Sequence, residues 1–431
     1  MARKYIPENN ISLVGETMLS SDKSLSIRAI LFASIAYGVS NFQINNPGED
    51  AQSAVSIIRK LGIKVIKDKN NYTVFGQGIG YPSCKKQIVI NCHNSGTAMR
   101  LSTPLIAASK VNAKIIGDQS LSSRPYRLEF LKDFLMDVKP SRKNYLPLIV
   151  KGNENSIQAN IKITKKSAQQ MSAATLAGLM SYGNTNIEGP LVRDHTTRLL
   201  QHLGYPIKTV NKKDKQLITI RGRQLLKPIL NYNVPCDPSS SAFLICIAIL
   251  TRGSKIKIKN VLINEHRIGF IKTLKKAGAK IQFKNKRKYF GENVADIEAV
   301  YSPNLRGLEV KSSDVASLID ELPVLFIVAM FCKSKSSFYD LGELQVKESK
   351  RLDVMEKNLK LVGAKVKRKK DNLFIDGITE EFYSSNIPEI KNFKKDHRIA
   401  LAMAVFAAVS RKKIIIHDFD SINVKIGRAH V

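Results

Sequence analysis

Apolar and polar positions follow one pattern that occurs six times along the chain. Each copy starts with an apolar segment typical of a buried helix, passes through a short break of small or polar residues, and continues as a strand rich in Ile and Val. The breaks are 70 to 81 residues apart and lie near Gly38, Val111, Gly183, Gly253, Ser334 and Lys412. Six copies of one unit predict an α/β fold assembled from repeats.

Glycines mark a second helix in most copies. Amphipathic segments end at Gly62, Gly204, Gly278 and Gly363 and then enter a strand, as expected for a left-handed helix C-cap. Each copy therefore predicts helix–strand–helix–strand, followed by further strand. The six copies divide most simply into two domains of three, with the best boundary at Lys227–Asp237, a segment that has two prolines and no helical period.

Composition limits the class of protein. The chain has 431 residues, of which 43% are hydrophobic, and this share excludes a disordered polybasic chain. The longest apolar stretch, 322–332, is too short to span a bilayer, and the opening segment lacks the apolar core of a secretory signal. The five cysteines form no CxxC pair, which predicts reduced thiols and no structural zinc. We therefore expect a cytoplasmic globular protein without membrane contact.

The charge is strongly positive but does not select a partner. Lys and Arg total 69 against 36 Asp and Glu, a net charge of +33, which fits nucleic acid, an anionic membrane surface or small anionic substrates. However, 49 of the basic residues are Lys and 20 are Arg, a balance that an AT-rich genome produces without selection for a binding face. The densest basic runs, Lys284–Lys288 and Lys365–Lys370, are expected in solvated hairpins.

Three predicted helices begin with small polar residues and a cation. The segments Ser21–Ser24 and Asn94–Thr97 are followed one turn later by Arg28 and Arg100, and Lys395–Arg398 opens a third helix. Free N–H groups at a helix start bind anions, and a neighbouring cation strengthens that binding. An ordinary N-cap is the alternative explanation for each segment.

Two acidic residues are candidates for proton transfer. Asp320 precedes a proline-containing helix start, where an N-cap would also explain it. Glu348 lies between Lys347 and Arg351, which would share a helix face, so that a surface ion pair is equally plausible. A carboxylate inside a cationic site would be a credible acid or base. His195 could be a base, although a single histidine in a loop is more often a local hydrogen-bonding group.

Taken in order, the segments resemble the EPSP synthase family of enolpyruvyl transferases over essentially the whole chain. No Walker loop, GxGxxG, HExxH or GxSxG motif competes with this resemblance. The segments that carry it are DKSLSIR from Asp22, NSGTAMR from Asn94, RP at Arg124, SAQ at Ser167, RDHT at Arg193, DPSS at Asp237, IDELP at Ile319, VKE at Val346 and DHRIA at Asp396.

The resemblance implies the fold and the reaction. The fold would be a two-domain inside-out α/β barrel with six βαβαββ-type repeats, three per domain, and an active site in the interdomain cleft. The domains would be 21–233, on the shikimate 3-phosphate side, and 1–20 with 234–431, on the phosphoenolpyruvate side. The enzyme would move the enolpyruvyl group of phosphoenolpyruvate to the 5-hydroxyl of shikimate 3-phosphate by addition and elimination. We expect a cytoplasmic monomer of the shikimate pathway that needs no metal or cofactor.

The resemblance also implies residue roles. Asp320 would be the base, Glu348 the acid at the methylene carbon, and Lys23 a catalytic residue that bridges both substrates. Shikimate 3-phosphate would contact Lys23, Ser24, Arg28, Ser167, Ala168, Gln169, Arg193, Asp320 and Lys347. Phosphoenolpyruvate would contact Lys23, Asn94, Gly96, Arg124, Gln169, Arg351 and Arg398. Because Gly96 leaves room beside this site, we expect inhibition by glyphosate.

Some positions depart from the family pattern. Val192 replaces a small polar residue before RDHT, and Lys350 replaces an acidic residue. The last six residues, 426–431, back-translate to a common sequencing adapter, so they are expected to be artefactual, and Lys425 is an uncertain counterpart of a phosphoenolpyruvate-binding lysine. The alternatives are an enolpyruvyl transferase for a UDP-amino sugar, whose reactive cysteine is missing from Gly117–Ser123, and a basic nucleic-acid-binding protein, which we do not favour.

Overall fold

The computed structural model describes residues 4–5, 12–81, 83–347, 349–377, 396–411 and 414–417. Contacts between Cα atoms separate two compact units. The N-terminal unit comprises Ser21–Val234 with Lys288–Glu292, and the C-terminal unit comprises Met1–Ser20, Pro235–Arg287 and Asn293–Val431. The assignment of one substrate to each unit stays a prediction.

Helices occur where the apolar and amphipathic segments predict them. The described residues form twelve α-helices: α1 (Lys23–Ile35), α2 (Glu49–Lys60), α3 (Gly96–Ala107), α4 (Gln119–Ser122), α5 (Ala168–Met180), α6 (His195–His202), α7 (Pro238–Leu250), α8 (Gly269–Lys276), α9 (Ser312–Leu318), α10 (Leu322–Met330), α11 (Arg351–Leu361) and α12 (His397–Ser410). Two short 3₁₀ helices lie at Glu129–Phe134 and Gly342–Val346.

Strands follow the helices in a regular order. The strands of the described residues are β1 (Lys4–Tyr5), β2 (Val14–Thr17), β3 (Tyr37–Gln43), β4 (Val65–Asp68), β5 (Asn71–Gln77), β6 (Ser83–Asn91), β7 (Lys110–Ile116), β8 (Asp137–Arg142), β9 (Tyr145–Lys151), β10 (Asn160–Lys162), β11 (Asn184–Pro190), β12 (Ile207–Lys212), β13 (Lys215–Arg221), β14 (Tyr232–Asn233), β15 (Lys255–Leu262), β16 (Lys280–Tyr289), β17 (Glu292–Val300), β18 (Glu309–Val310), β19 (Ser336–Phe338), β20 (Val366–Lys369), β21 (Asn372–Ile375) and β22 (Ile415–Ile416).

Five four-stranded sheets share one topology. The N-terminal unit has the orders β14-β3-β5-β4, β6-β7-β9-β8 and β10-β11-β13-β12, and the C-terminal unit has β2-β15-β17-β16 and β18-β19-β21-β20. In each sheet the first pair is parallel and the next pair is antiparallel. This confirms the predicted α/β fold of repeated units. In the sixth copy the described elements are α12 and β22, which pairs with β1. The inside-out barrels and the interdomain cleft stay predictions.

The first helix of each repeat is buried because it is apolar all round. Eleven of the 13 residues of α1 and all nine residues of α10 are buried. Helix α3 contacts α1 and α5 in the core of the N-terminal unit, and α7, α10 and α12 contact one another in the C-terminal unit. Hydrogen bonds join the starts of α3 and α5, through Arg100 and Gln169, and the starts of α7 and α10, through Ser239 and Glu321. The starts of the buried helices carry most of the candidate residues.

The second helix of a repeat is amphipathic and ends as predicted. Gly62, Gly204, Gly278 and Gly363 follow α2, α6, α8 and α11 with φ between 74° and 102°, the left-handed conformation that glycine adopts without steric strain. The most apolar of the described helices is the buried helix α10, which has nine residues. None of the described helices has the length and apolar character needed to cross a bilayer.

Candidate active site

The three buried helices of the N-terminal unit, α1, α3 and α5, each begin with a side-chain cap. The Leu25 amide donates to Asp22 Oδ1 over 2.8 Å, the Ala98 amide to Ser95 Oγ over 3.2 Å, and the Gln170 amide to Ser167 Oγ over 3.3 Å. These caps satisfy N–H groups that a helix start leaves open. The N-cap interpretation is therefore confirmed at α1 and α3, and any anion-binding role depends on the cations beside the caps.

Lys23, the first residue of α1, is held by a buried carboxylate. Its Nζ lies 2.9 Å from Asp50 Oδ2, and the two side chains are 24% and 5% exposed. Asp50 is in the first turn of α2, where the helix dipole also favours a negative charge. The ammonium group of Lys23 thus has a defined position while part of the side chain stays accessible.

Arg28 links three helices of the same unit. Its Nε donates to Thr196 Oγ1 in α6 over 2.8 Å, its Nη2 to Ser172 Oγ in α5 over 2.8 Å, and its Nη1 to the carbonyl oxygen of Ser24 over 2.9 Å. The side chain is 3% exposed. Ser24 and Arg28, both expected to contact shikimate 3-phosphate, therefore lie together.

Asn94, Gly96 and Arg124 come together at the start of α3. The Nη2 atom of Arg124 donates to the carbonyl oxygen of Asn94 over 3.0 Å and also to its side-chain oxygen. A Cβ atom placed on Gly96 would lie 2.8 Å from Arg100 Nη1 and 3.6 Å from Arg124 Nη1. Two guanidinium groups therefore lie beside the one residue in this turn that has no side chain.

Gln169 joins the same group through Arg100. The Nη1 atom of Arg100 donates to Gln169 Oε1 over 2.7 Å, and Gln169 Nε2 donates to Thr97 Oγ1 over 2.9 Å. Burial, together with the neighbouring Arg124 and Arg127, lowers the pKa of Arg100 to about 10. We call Asn94, Gly96, Thr97, Arg100, Arg124 and Gln169 the Gly96 cluster.

The segment at the start of α6 has both structural and candidate residues. Arg193 directly precedes the N-cap residue Asp194, whose Oδ2 accepts from Arg198 Nε over 2.7 Å. His195 Nδ1 lies 2.7 Å from Glu292 Oε1, and both side chains are 1% exposed. The histidine is therefore an internal hydrogen-bonding group, but its partner is 97 residues away and not local as the sequence predicted, and it lies at the start of a helix and not in a loop.

In the C-terminal unit, Asp320 lies between two arginines. Its Oδ1 is 3.8 Å from Arg351 Nη1, and its Oδ2 is 3.6 Å from Arg398 Nη2. Arg398 Nη1 also donates to the carbonyl oxygen of Asp320 over 2.8 Å and lies 3.9 Å from Glu321 Oε1. The candidate base and two candidate phosphoenolpyruvate contacts thus form one group.

Asp396 holds the side chain of Arg351 and the backbone of Arg398. Its Oδ2 accepts from Arg351 Nε over 2.8 Å and from Ser349 Oγ over 2.9 Å. Its Oδ1 accepts from the Arg398 amide over 3.1 Å, so the same carboxylate caps α12. Asp396 is fully buried. We call Asp320, Glu321, Arg351, Asp396 and Arg398 the Asp320 cluster.

Comparison with known proteins decides the family. The sequence profile of EPSP synthase (3-phosphoshikimate 1-carboxyvinyltransferase) matches residues 8–425. This chain belongs to the EPSP synthase family. Curated relatives named 3-phosphoshikimate 1-carboxyvinyltransferase include one from Sulfurihydrogenibium sp., 35% identical over 95% of this chain and 94% of that protein, and one from Zymomonas mobilis, 36% identical over 94% and 90%.

Solved structures agree with this assignment. An EPSP synthase from Acinetobacter baumannii matches 98% of this chain and 96% of that chain, with a TM-score of 0.85 and 31% identity. The enolpyruvyl transferase NikO from Streptomyces tendae matches 98% and 94%, with a TM-score of 0.70 and 15% identity, which shows a shared fold. The predicted resemblance to the EPSP synthase family is therefore confirmed.

Three residues that hold candidate side chains in place were absent from the roles that the EPSP synthase resemblance implied. Asp50, Arg100 and Asp396 each fix a candidate residue. Arg100 was visible as a cation one turn into a predicted helix, and Asp396 as a polar residue before another. Asp50 had no comparable signal, because its contact with Lys23 depends on how α1 and α2 pack.

Two local predictions were wrong. The N-cap of α10 is Glu321 and not Asp320, because the chain makes one further turn after α9 before the helix starts. Lys347 and Arg351 do not share a helix face, since α11 begins at Arg351 and Lys347 follows a 3₁₀ helix. Glu348, Lys395, Lys425 and the tail 426–431 lie outside the described residues.

Proposed function

We propose that this chain transfers the enolpyruvyl group of phosphoenolpyruvate to the 5-hydroxyl of shikimate 3-phosphate and releases phosphate. The observation that carries the proposal is the Gly96 cluster. Among the described residues, Arg100 and Arg124 donate to backbone carbonyl oxygens and side-chain amide oxygens and form no ion pair with a carboxylate. Guanidinium groups without carboxylate partners favour an anionic ligand, and they bind carboxylates and phosphates through paired N–H donors.

The reaction needs an addition followed by an elimination. In the addition, the 5-hydroxyl oxygen bonds to C2 of phosphoenolpyruvate, the hydroxyl proton leaves, and C3 gains a proton. In the elimination, the C2–O bond to phosphate breaks and C3 loses a proton. We assign the hydroxyl proton to Asp320 and the methylene proton to Glu348, with Lys23 placed between the anionic groups of both substrates.

The binding roles divide among the remaining candidates. We assign shikimate 3-phosphate to Ser24, Arg28, Ser167, Ala168, Gln169, Arg193 and Lys347. We assign phosphoenolpyruvate to Asn94, Gly96, Arg124, Gln169, Arg351 and Arg398. The contacts of Asp396 with Arg351 and with the amide of Arg398 support this assignment, because pre-oriented arginines lose less freedom when an anion binds.

The test is phosphate release by the purified protein with both substrates. Glu348→Gln and Asp320→Ala should each reduce kcat by at least about 100-fold, the range typical of general acid–base groups. Asp314→Ala and Glu343→Gln are matched controls on nearby elements of the C-terminal unit and should retain activity. Equal turnover in all five proteins would overturn the catalytic assignments, and absence of phosphate release by the wild type would overturn the function.

We also propose that the enzyme is a cytoplasmic monomer. Light scattering coupled to gel filtration tests the monomer, because a mass near 48.1 kDa is expected and a mass twice as large would refute it.

A further inference from the structure

Arg100 is buried in the candidate site without a role in the reaction. It lies one turn into α3, and its side chain is 8% exposed. The same burial lowers its pKa to about 10, with Arg124 and Arg127 contributing. A buried cation next to other cations costs folding free energy, whereas an apolar side chain of similar length would fill the space without that cost. Packing alone therefore does not explain an arginine at this position.

The donors of Arg100 connect three chain segments. Nε donates to the carbonyl oxygen of Tyr126 over 3.1 Å, and Nη2 to that of Pro125 over 2.7 Å. Nη1 donates to the carbonyl oxygen of Gly96 over 3.3 Å and to Gln169 Oε1 over 2.7 Å. The first segment directly follows Arg124, the second is the start of α3, and the third is the first turn of α5.

These contacts define the orientation of the Gln169 amide. Its oxygen faces a group that can only donate, and its nitrogen donates to Thr97 Oγ1 over 2.9 Å. A flipped amide would place its NH₂ group against the guanidinium N–H of Arg100, which is repulsive. The second N–H of Gln169 Nε2 is thereby held in a single direction and can donate to an anion.

We propose that Arg100 is a positioning residue for phosphoenolpyruvate, which fixes the amide of Gln169 and the turn that carries Arg124. The proposal rests on the proposed function. Arg100 takes no part in proton transfer. Its effect falls mainly on phosphoenolpyruvate, because Gly96, Arg124 and Gln169 are all assigned to that substrate, whereas Gln169 alone of the three is also assigned to shikimate 3-phosphate. Three features of the same site depend on it, since the Gly96 carbonyl, the turn at Arg124 and the Gln169 amide all accept its hydrogen bonds.

The test is a set of steady-state measurements with each substrate varied in turn. Arg100→Met should raise the KM for phosphoenolpyruvate at least about tenfold, while the KM for shikimate 3-phosphate rises by a clearly smaller factor. Arg100→Lys keeps a charge but lacks the planar fork, so its KM for phosphoenolpyruvate should rise by an intermediate factor. Calorimetric titration with shikimate 3-phosphate should show a smaller loss of affinity in both variants than the rise in KM for phosphoenolpyruvate.

Arg223→Met is the matched control. Arg223 also bridges two segments of the N-terminal unit, because its Nη2 donates to the carbonyl oxygen of Glu154 and its guanidinium lies 4.2 Å from the ring centroid of Tyr182. Its removal should leave both KM values unchanged. An equal rise in both KM values of Arg100→Met, or no rise in either, would show a structural role only.

A double variant tests the route through Gln169. If Arg100 acts partly by holding this amide, Arg100→Met combined with Gln169→Ala should be clearly less impaired than the product of the two single effects predicts. Fully multiplicative effects would overturn the coupling. If Arg100→Met does not fold, Arg100→Lys allows the same comparison of the two KM values, and its combination with Gln169→Ala allows the same comparison of double and single variants. The wild type is assayed first. If it releases no phosphate, the proposed function is refuted, whereas the variants test only the role of Arg100.

Discussion

The Gly96 cluster and the Asp320 cluster both hold arginines, but the partners of these arginines differ. In the Gly96 cluster, the described partners of Arg100 and Arg124 are carbonyl and amide oxygens. In the Asp320 cluster, carboxylate oxygens lie 2.8 to 3.9 Å from guanidinium nitrogens of Arg351 and Arg398. The first cluster thus keeps a positive charge that no described carboxylate compensates, whereas the second balances its charges internally.

The difference indicates two ways to prepare a site for anions. Uncompensated guanidinium groups attract an anion strongly, but burial and, to a smaller extent, their mutual repulsion disfavour the charged form, and both lower the pKa of Arg100. Arginines fixed by buried carboxylates attract an anion less strongly, but they are already oriented when the anion arrives. Removing an arginine from the first cluster should therefore affect binding, and removing a carboxylate from the second should affect stability.

The largest expected effect is on stability, from Asp396→Ala. The change leaves Arg351 buried without this partner and removes the cap of α12, so the free energy of unfolding should fall by about 3–5 kcal/mol. Urea denaturation at neutral pH measures the loss. Asp353→Ala, which removes a surface carboxylate of α11, is the control. A loss for Asp396→Ala no larger than the loss for this control would remove the basis of the comparison.

Arg124→Met should have its main effect on binding. Charge-assisted hydrogen bonds contribute about 1.5–3 kcal/mol each, so the KM for phosphoenolpyruvate should rise about 10- to 100-fold. Because Arg124 has no described carboxylate partner, the free energy of unfolding should change by less than about 1 kcal/mol. Kinetics and urea denaturation of the same preparation measure both. A large loss of stability with an unchanged KM would reverse the contrast between the clusters.

Gly96→Ala should have a smaller effect on the same substrate. Its new methyl group would lie 2.8 Å from Arg100 Nη1, and relieving such overpacking costs about 1–3 kcal/mol. Since Arg100 is held by other hydrogen bonds, we expect part of this cost to appear as weaker binding of phosphoenolpyruvate and of glyphosate. Inhibition curves at fixed substrate concentrations measure the change. Full wild-type activity in millimolar glyphosate would refute the expected inhibition altogether.

The smallest effect on stability is expected from the control variant Asp353→Ala, which removes one side of a surface ion pair with Arg368. Hydrogen bonds from Gln345 and then Arg368 hold the pKa of Asp353 below its usual value of 3.8. Because the folded pKa is the lower one, ionised Asp353 stabilises the protein above pH 3.8, and this contribution is lost as the pH falls through the lowered pKa. With Asp353 and Arg368 37% and 23% exposed, Asp353→Ala should cost less than about 1 kcal/mol at pH 7. If the free energy of unfolding of Asp353→Ala differed from that of the wild type by the same amount in acid as at pH 7, the ionic origin of this contribution would be contradicted.

Local sequence predicted those parts of the site that depend on neighbouring residues. Ser95 and Asp396 were expected to begin helices and do cap them, because an N-cap involves atoms only two or three residues apart. The same reasoning misplaced the cap of α10 by one residue and extended α11 too far toward Lys347. Helix boundaries depend on how the preceding turn packs, and local propensity does not determine that packing.

By itself, the sequence determined the repeated α/β units, the buried and amphipathic helices within them and the family, since each follows from residue order and periodicity. Only the tertiary structure decided which side chains meet. Arg100 reaches Gln169 across 69 residues, and His195 reaches Glu292 across 97. The first contact joins the starts of α3 and α5, which pack against each other, and the second joins the start of α6 to the start of β17. Both depend on packing, which is set by the shape of the whole core, and no short segment of sequence contains that shape.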